Sequence, residues 1–367
     1  MRLCKRSVSR MELHMGRRKI DRRVACLRKL PIVKLRAIAP LFFRMVDSNP
    51  ATPLPDAPAP AAPSKGKIFL RRLTSSAVLW SCVLLAIFSG DNLFSDIVFL
   101  LVMLAIAGLG LEEFYTLVEK SGWHCFRGWG LAGGFILMSS TFAAAKLQQS
   151  LARTTSPARI NDFETGILIF FVLGLCLRQF MSKREGSALL RISTTLFGLM
   201  YVPWLLNFIQ KLHYFPDVIS AGGQVRDVDG NFYVLYFILV TKFSDLGAYC
   251  VGSVIGKHKM IPRISPGKTW EGFGGAVVVS TLVSVVFFHF LRDRLYGMNY
   301  FHAVVLGVLL STAAVVGDLI ESIFKREAKV KDSGRWFPGI GGILDLMDSL
   351  LFNAPLMYLY LRHVLTN

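Results

Sequence analysis

From about Thr74 onward the chain is a succession of apolar stretches separated by polar connections, each close to the length that crosses roughly 30 Å of hydrocarbon. No other feature constrains the fold as much. Inside lipid every backbone N–H and C=O must find its partner within the protein, so apolar runs of this length become helices. Their centres fall near Leu84, Met103, Leu137, Val172, Leu199, Leu239, Val283, Leu310 and Pro355, with the first, second and fourth runs short. The expected fold class is therefore all-α: a polytopic integral membrane protein with about nine transmembrane helices. Composition agrees, since 53% hydrophobic against 18% charged residues is too apolar for an ordinary water-soluble domain.

A formal charge of +18 invites a nucleic-acid reading until its location is considered. The first 45 or so residues carry roughly +12 of it, with Arg17, Arg18, Lys19, Arg22 and Arg23 in one run. The charge thus belongs to a tail on a membrane body, and no nucleic-acid partner is expected. Residues 1–66 read as a basic and then Pro/Ala-rich cytoplasmic tail without fixed structure, residues 67–230 as N-terminal transmembrane helices, and residues 231–367 as the region that carries the chemistry. The early charges interrupt every apolar run that a signal peptide would need. A basic surface drawn to anionic lipid is the other reading of the tail, as is translation starting at Met45.

Nine spans with the tail inside would put three basic connections on the cytoplasmic face. These hold Lys183 and Arg184; Lys257, Lys259, Arg263 and Lys268; and Lys325, Arg326, Lys329, Lys331 and Arg335. Lys146, Arg153 and Arg159 fall outside as exceptions. The six cysteines are scattered without a C-x-x-C pair and read as free thiols, and no zinc signature is present.

Acidic residues inside or beside segments fit for hydrocarbon are costly unless partnered, and the last third of the chain concentrates them. Asp318, Glu321, Ser322 and Lys325 follow an i, i+3, i+4, i+7 pattern that makes one stripe on a helix. Asp345 and Asp348 repeat the i, i+3 spacing, and Lys242 with Asp245 forms a further intramembrane pair. Carboxylates on two helix ends flanking a lysine-rich connection suit a hard divalent cation together with a polyphosphate. Helix capping and local ion pairing are the competing explanation for any one of them. The glycine-rich turn Phe337-Pro338-Gly339-Ile340-Gly341-Gly342 allows close backbone approach. The segment Ser265-Pro266-Gly267-Lys268-Thr269-Trp270 brings hydroxyls, a cation and an aromatic to the same membrane face, although Pro262 stands where a phosphate loop needs its first glycine. An interfacial belt, with Trp270 at headgroup depth, would use the same residues.

These residues carry a resemblance. Ser322-Ile323-Phe324-Lys325-Arg326, Lys331-Asp332-Ser333-Gly334, Pro338-Gly339, Gly341-Gly342-Ile343-Leu344-Asp345 and Asp348-Ser349 together resemble the signature of the phosphatidate cytidylyltransferase (CDP-diacylglycerol synthase) family. Ile264-Ser265-Pro266, Lys268 to Gly272, and Asp245 followed by Gly247-Ala248-Tyr249 extend it, so that it runs from about Phe243 to Leu351. Three positions depart from the pattern: Ile340 replaces a histidine, Leu346 an arginine and Gly267 a lysine.

The resemblance implies transfer of a cytidylyl group from CTP to phosphatidate in the bilayer, with Mg²⁺ held by Asp318, Asp345 and Asp348. It implies phosphate contacts from Lys325, Arg326, Lys331 and Lys268, with Ser322 near the metal and Asp245 beside metal or nucleotide. Ser265, Thr269 and Trp270 would line the nucleotide entrance. It further implies a homodimer and a bacterial inner-membrane location with the site facing the cytoplasm. Two other readings remain open: a CTP-dependent relative with another lipid acceptor, of the CDP-archaeol synthase or polyprenol kinase kind, and an ion-coupled transporter whose path Asp245, Asp318 and Glu321 would line.

Overall fold

The computed structural model describes residues 81, 84–85, 87–88, 93–151, 158–182, 186–216, 218–219, 225–226, 228–334 and 341–366. The N-terminal tail, Lys183, Arg184, Arg335 and the turn from Phe337 to Ile340 lie outside the described residues. Pro63–Asn367 makes one compact unit. Its helices are α1 (Leu93–Lys120), α2 (Arg127–Leu151), α3 (Ala158–Phe180), α4 (Ala188–His213), α5 (Gly230–Ile255), α6 (Trp270–Leu291), α7 (Tyr300–Glu327) and α8 (Ile343–Tyr360).

Among the described residues, seven helices, α1 to α7, are long and apolar enough to cross a membrane. The chain is an all-α polytopic membrane protein. Eight of the expected centres fall on α1 to α8 in order, while only Leu84 and a few neighbours of the first are described, as helical. The second run, expected to be short, is the 28-residue helix α1. At 1.5 Å per residue it extends about 42 Å, so its C-terminal end carries Glu112, Glu113 and Glu119 beyond the most apolar part of the span. The eighth helix, α8, has only 18 residues, bears Asp345 and Asp348, and is largely buried by its neighbours.

Two large faces follow from the antiparallel order. The C-terminal ends of α1, α3, α5 and α7 meet the N-terminal ends of α2, α4, α6 and α8 on one side, which includes the basic connections at Lys257–Lys268 and Lys325–Lys331. On the other side Lys146 pairs with Asp96 at 2.6 Å and Arg294 with Asp229 at 3.1 Å. Aromatic and aliphatic side chains such as Tyr115, Tyr233, Tyr236, Phe237 and Leu111 fill the interior, whereas Phe170, Phe180, Val254 and Phe290 point outward, as a lipid-facing surface requires. Pro203 lacks an N–H, and α4 accommodates it by widening to a π turn at Met200–Trp204.

Among the described residues, sheet is confined to two small ribbons: β1 (Val218–Ile219) with β2 (Val225–Arg226), and β3 (Lys259–Ile261) with β4 (Ser265–Thr269). The segment from Ser265 to Thr269, read from sequence as an open loop, is thus the second strand of a hairpin, with Lys259 opposite Thr269 and Ile261 opposite Ser265. The hairpin leads straight into α6, whose first turn Thr269 caps by accepting the Gly272 N–H at 3.1 Å. Cys125, Cys176 and Cys250 are free thiols.

Candidate active site

Four helix ends and the hairpin enclose a cavity of about 560 Å³. The C-terminal half of α5 contributes Asp245, Tyr249 and Gly252, the hairpin Ser265, Gly267, Lys268 and Thr269, and α6 Gly272 and Phe273. Asp318, Glu321 and Lys325 come from α7, and Asp345 and Asp348 from α8. The α7 and α8 side carries carboxylates and Lys325, while α5, the hairpin and α6 combine Asp245 and Lys268 with Tyr249 and Phe273.

Helical spacing places Asp318 and Glu321 on one face of α7, and α8 packs antiparallel against that face. There Asp348 joins them: one carboxylate oxygen from each of Asp318, Glu321 and Asp348 lies within 4.8 Å of the others. Glu321 is fully buried; its Oε2 accepts from Lys325 Nζ at 2.7 Å, and its Oε1 has no hydrogen-bond partner. A buried carboxylate with one unpartnered oxygen, set beside two further carboxylates, is a costly arrangement unless a cation joins it. Three hard oxygen donors suit a hard divalent ion, so these residues fit Mg²⁺.

The resemblance gave Asp345 a place in this group, and the structure puts Glu321 there. Asp345 stands beside the cluster with its oxygens already engaged. Oδ1 accepts from Lys325 Nζ at 2.8 Å, and Oδ2 accepts from the backbone N–H groups of Gly342 at 2.8 Å and Ser333 at 3.1 Å. The physical reason is its place in the first turn of α8, where orphan N–H groups draw a carboxylate back on its own helix. Asp348, one turn farther on, is free of that demand and faces α7.

The cations are distributed in the same way. Lys268 Nζ lies 2.9 Å from Asp318 Oδ2 and donates to the carbonyl of Val315 at 3.1 Å, bridging hairpin and α7. Lys325 links Glu321 to Asp345. Lys242 donates to Leu346 O at 2.8 Å and lies 3.6 Å from Asp245 Oδ2, which also accepts from Ser349 Oγ at 3.3 Å. The cavity thus brings together Asp245, Ser265, Lys268, Thr269, Asp318, Lys325, Asp345 and Asp348. Four other expected site residues lie off its lining. Ser322 is buried and donates to Asp318 Oδ1 at 3.4 Å, Arg326 is exposed and donates from Nε to the carbonyl of Ile264 at 3.0 Å, Trp270 is exposed with its backbone N–H on His258 O, and Lys331 is exposed.

Sequence reading placed Glu321 on a polar stripe and on a possible ion path, not in a carboxylate group with Asp318 and Asp348. Glu113, whose carboxylate accepts the N–H groups of Ile343 and Leu344 at the start of α8, lies far from the signature, and its one sequence signal was an acidic pair, Glu112-Glu113, closing an apolar run. Of the three departures, Gly267 lines the cavity with open space beside it, so a longer side chain would fit there. Leu346 lends its carbonyl to Lys242, and Ile340 lies outside the described residues.

The model of the cytidylyltransferase family matches residues 71–364, which is most of the chain. This chain belongs to the cytidylyltransferase family. It is 45% identical over 133 residues to the phosphatidate cytidylyltransferase of Staphylococcus haemolyticus, a stretch covering 36% of this chain and 50% of that protein. To the enzyme of the same name from Haemophilus influenzae it is 42% identical over 127 residues, 34% of this chain and 44% of the relative. An uncharacterized Escherichia coli protein, YnbB, is 33% identical over 169 residues, 46% of this chain and 51% of its own length. The chain spans about half the length of the curated relatives it matches.

Proposed function

We propose that this member of the cytidylyltransferase family transfers the cytidylyl group of CTP to phosphatidate, releasing pyrophosphate and leaving CDP-diacylglycerol in the bilayer. The observation that carries the proposal is the carboxylate group Asp318, Glu321 and Asp348, with Lys268 against Asp318, lining a cavity at one end of a membrane bundle. The names of its relatives and the family membership support the same reaction.

In this reading Asp318, Glu321 and Asp348 would hold Mg²⁺, which when bound would supply positive charge to offset that of the nucleotide phosphates. The chain's own residues supply alignment. Lys268 exchanges Asp318 for a phosphate oxygen, as a point charge that the hairpin holds in place. Lys325 neither leaves nor binds: it is fixed between Glu321 and Asp345 and keeps both carboxylates oriented. Thr269 and Ser265 offer hydroxyls from the hairpin, and Tyr249 and Phe273 add aromatic surface to the lining. An oxygen of the phosphatidate phosphate attacks the α-phosphorus of CTP, and the bond from that phosphorus to the β-phosphate oxygen breaks. A phosphate monoester is already nucleophilic near neutral pH, so no strong protein base is required.

We place the protein in the bacterial inner membrane with this face toward the cytoplasm, where CTP is found; the basic connections around the cavity support that orientation. Pairing of two copies belongs to the same proposal. The test is product identity with the purified protein, phosphatidate, labelled CTP and Mg²⁺. CDP-diacylglycerol with pyrophosphate is expected; release of CDP with a phosphorylated lipid would identify a kinase instead, and no CTP consumption alongside ion flux in liposomes would identify a transporter.

A further inference from the structure

Helix α8 begins in the protein interior, where the N–H groups of its first turn need acceptors. Its N-cap is Gly342, which has no side chain to offer. The acceptor arrives from α1. Oε1 of Glu113 accepts the N–H of Ile343 at 3.1 Å, and its Oε2 accepts the N–H of Leu344 at 2.9 Å and the Ser333 hydroxyl at 2.9 Å. Glu113 is 3% exposed, so these contacts are shielded from water. The surroundings are cut to admit it: a Cβ on Gly334 would collide with the Glu113 carboxylate, and one on Gly342 would collide with that carboxylate and with Ser333 Oγ.

The helix held in this way carries Asp348, one turn beyond Leu344. Sliding or rotating α8 by a small amount would move Asp348 relative to Asp318 and Glu321, which sit on a different helix. We propose that Glu113 is a positioning residue for the carboxylate group: by fixing the N-terminus of α8 from α1, it sets where Asp348 stands against Asp318 and Glu321. The proposal rests on the reading that those three carboxylates bind a divalent cation. It reaches beyond that reading by giving the N-terminal half of the chain a part in the site.

The experiment measures Mn²⁺ binding by electron paramagnetic resonance, with thermal unfolding in parallel, on the purified full-length protein and the variants Glu113→Gln, Ser333→Ala and Met357→Ala. Met357 is buried on the same helix farther from the cluster and serves as a matched destabilisation. Glu113→Gln keeps the size but places an amide where two backbone donors need acceptors, and should weaken Mn²⁺ by about tenfold or more, in the range seen when partners of metal ligands are lost. Ser333→Ala, which removes one donor of three, should weaken it by roughly threefold. Met357→Ala should lower the unfolding midpoint and leave Mn²⁺ affinity unchanged. Wild-type affinity in Glu113→Gln overturns the proposal, as does equal weakening in Met357→Ala at a similar loss of stability. If Glu113→Gln does not fold, Ser333→Ala decides, and unaltered affinity there overturns it. Failure of the wild-type protein to bind Mn²⁺ would instead overturn the metal reading on which the proposal stands.

Discussion

Lys268 Nζ stands 2.9 Å from Asp318 Oδ2, joining a residue of the hairpin to a residue of α7 in the lining of the cavity. The pair couples the two halves of the chemistry. In the proposed reaction the lysine that a phosphate would recruit neutralises the very carboxylate that a cation would recruit, so nucleotide and metal would exchange the two together. The pair also explains how acids at the end of an apolar bundle are tolerated before substrate binds.

Replacing Lys268 by glutamine should therefore weaken CTP binding while leaving the fold intact, because the hairpin keeps its backbone pairing. A hydrogen bond to a charged group contributes about 1.5–3 kcal/mol, so KM for CTP should rise by roughly tenfold or more. Pyrophosphate release measured against CTP concentration reports it. An unchanged KM would remove Lys268 from the nucleotide site.

Glu321 and Asp345 should part company when each is made neutral. Glu321→Gln takes a charge from the proposed cation site, and turnover at low Mg²⁺ should collapse, with partial recovery as Mg²⁺ is raised. Asp345→Asn takes an acceptor from the start of α8 and a partner from Lys325, so its first effect should be a loss of about 1–3 kcal/mol of stability. Titrating activity with Mg²⁺ and following thermal unfolding for both variants separates the two roles. If Asp345→Asn showed the stronger Mg²⁺ dependence, the carboxylate group assigned from the structure would be wrong.

The span centres and the polar stripe on α7 were legible because period and length are local properties. Asp318, Glu321 and Ser322 needed only the helical repeat, and the basic connections needed only composition. What sequence did not yield was the division of labour between like residues. Asp345 and Asp348 share one motif, yet one serves the helix N-terminus and the other faces α7; that depends on how α8 docks, which is set by contacts with α7, α4 and α1. Glu113 was hidden for the same reason, since its partners lie more than two hundred residues later in the chain. The hairpin strand at Ser265–Thr269 was obscured by Pro266 and Gly267, residues that usually break strands.

The cavity wall formed by α5 and α6 depends on close approach at glycines. A Cβ on Gly275 would collide with Val251 and stand 2.9 Å from the Gly247 carbonyl oxygen, whereas one on the adjacent Gly274 meets nothing within 4 Å. Small residues at such crossings let helix backbones approach within a membrane. Gly275→Val should cost about 1–3 kcal/mol through overpacking, and Gly274→Val should be close to neutral. Thermal unfolding in one detergent compares them; equal behaviour would mean that the helices can separate without penalty.

At the opposite end of the bundle Lys211 and Glu164 form an ion pair whose side chains are 2% and 5% exposed. Asn207 donates to Glu164 Oε1 at 2.8 Å, and Lys211 also donates to Asn161 Oδ1 at 3.1 Å. An ion path through the membrane would use such charges, whereas a structural pair would only need them to balance. Lys211→Met leaves Glu164 buried and unpaired and should cost about 3–5 kcal/mol, while adding Glu164→Gln should recover much of that, because removing both charges also removes the cost of desolvating them. Cytidylyl transfer should stay within about twofold of wild type in the double variant at temperatures where it is folded, since a remote pair without shared partners acts independently of the site. Loss of turnover in a stable double variant would instead show that the two faces are coupled, and would return weight to the idea that charge moves between them.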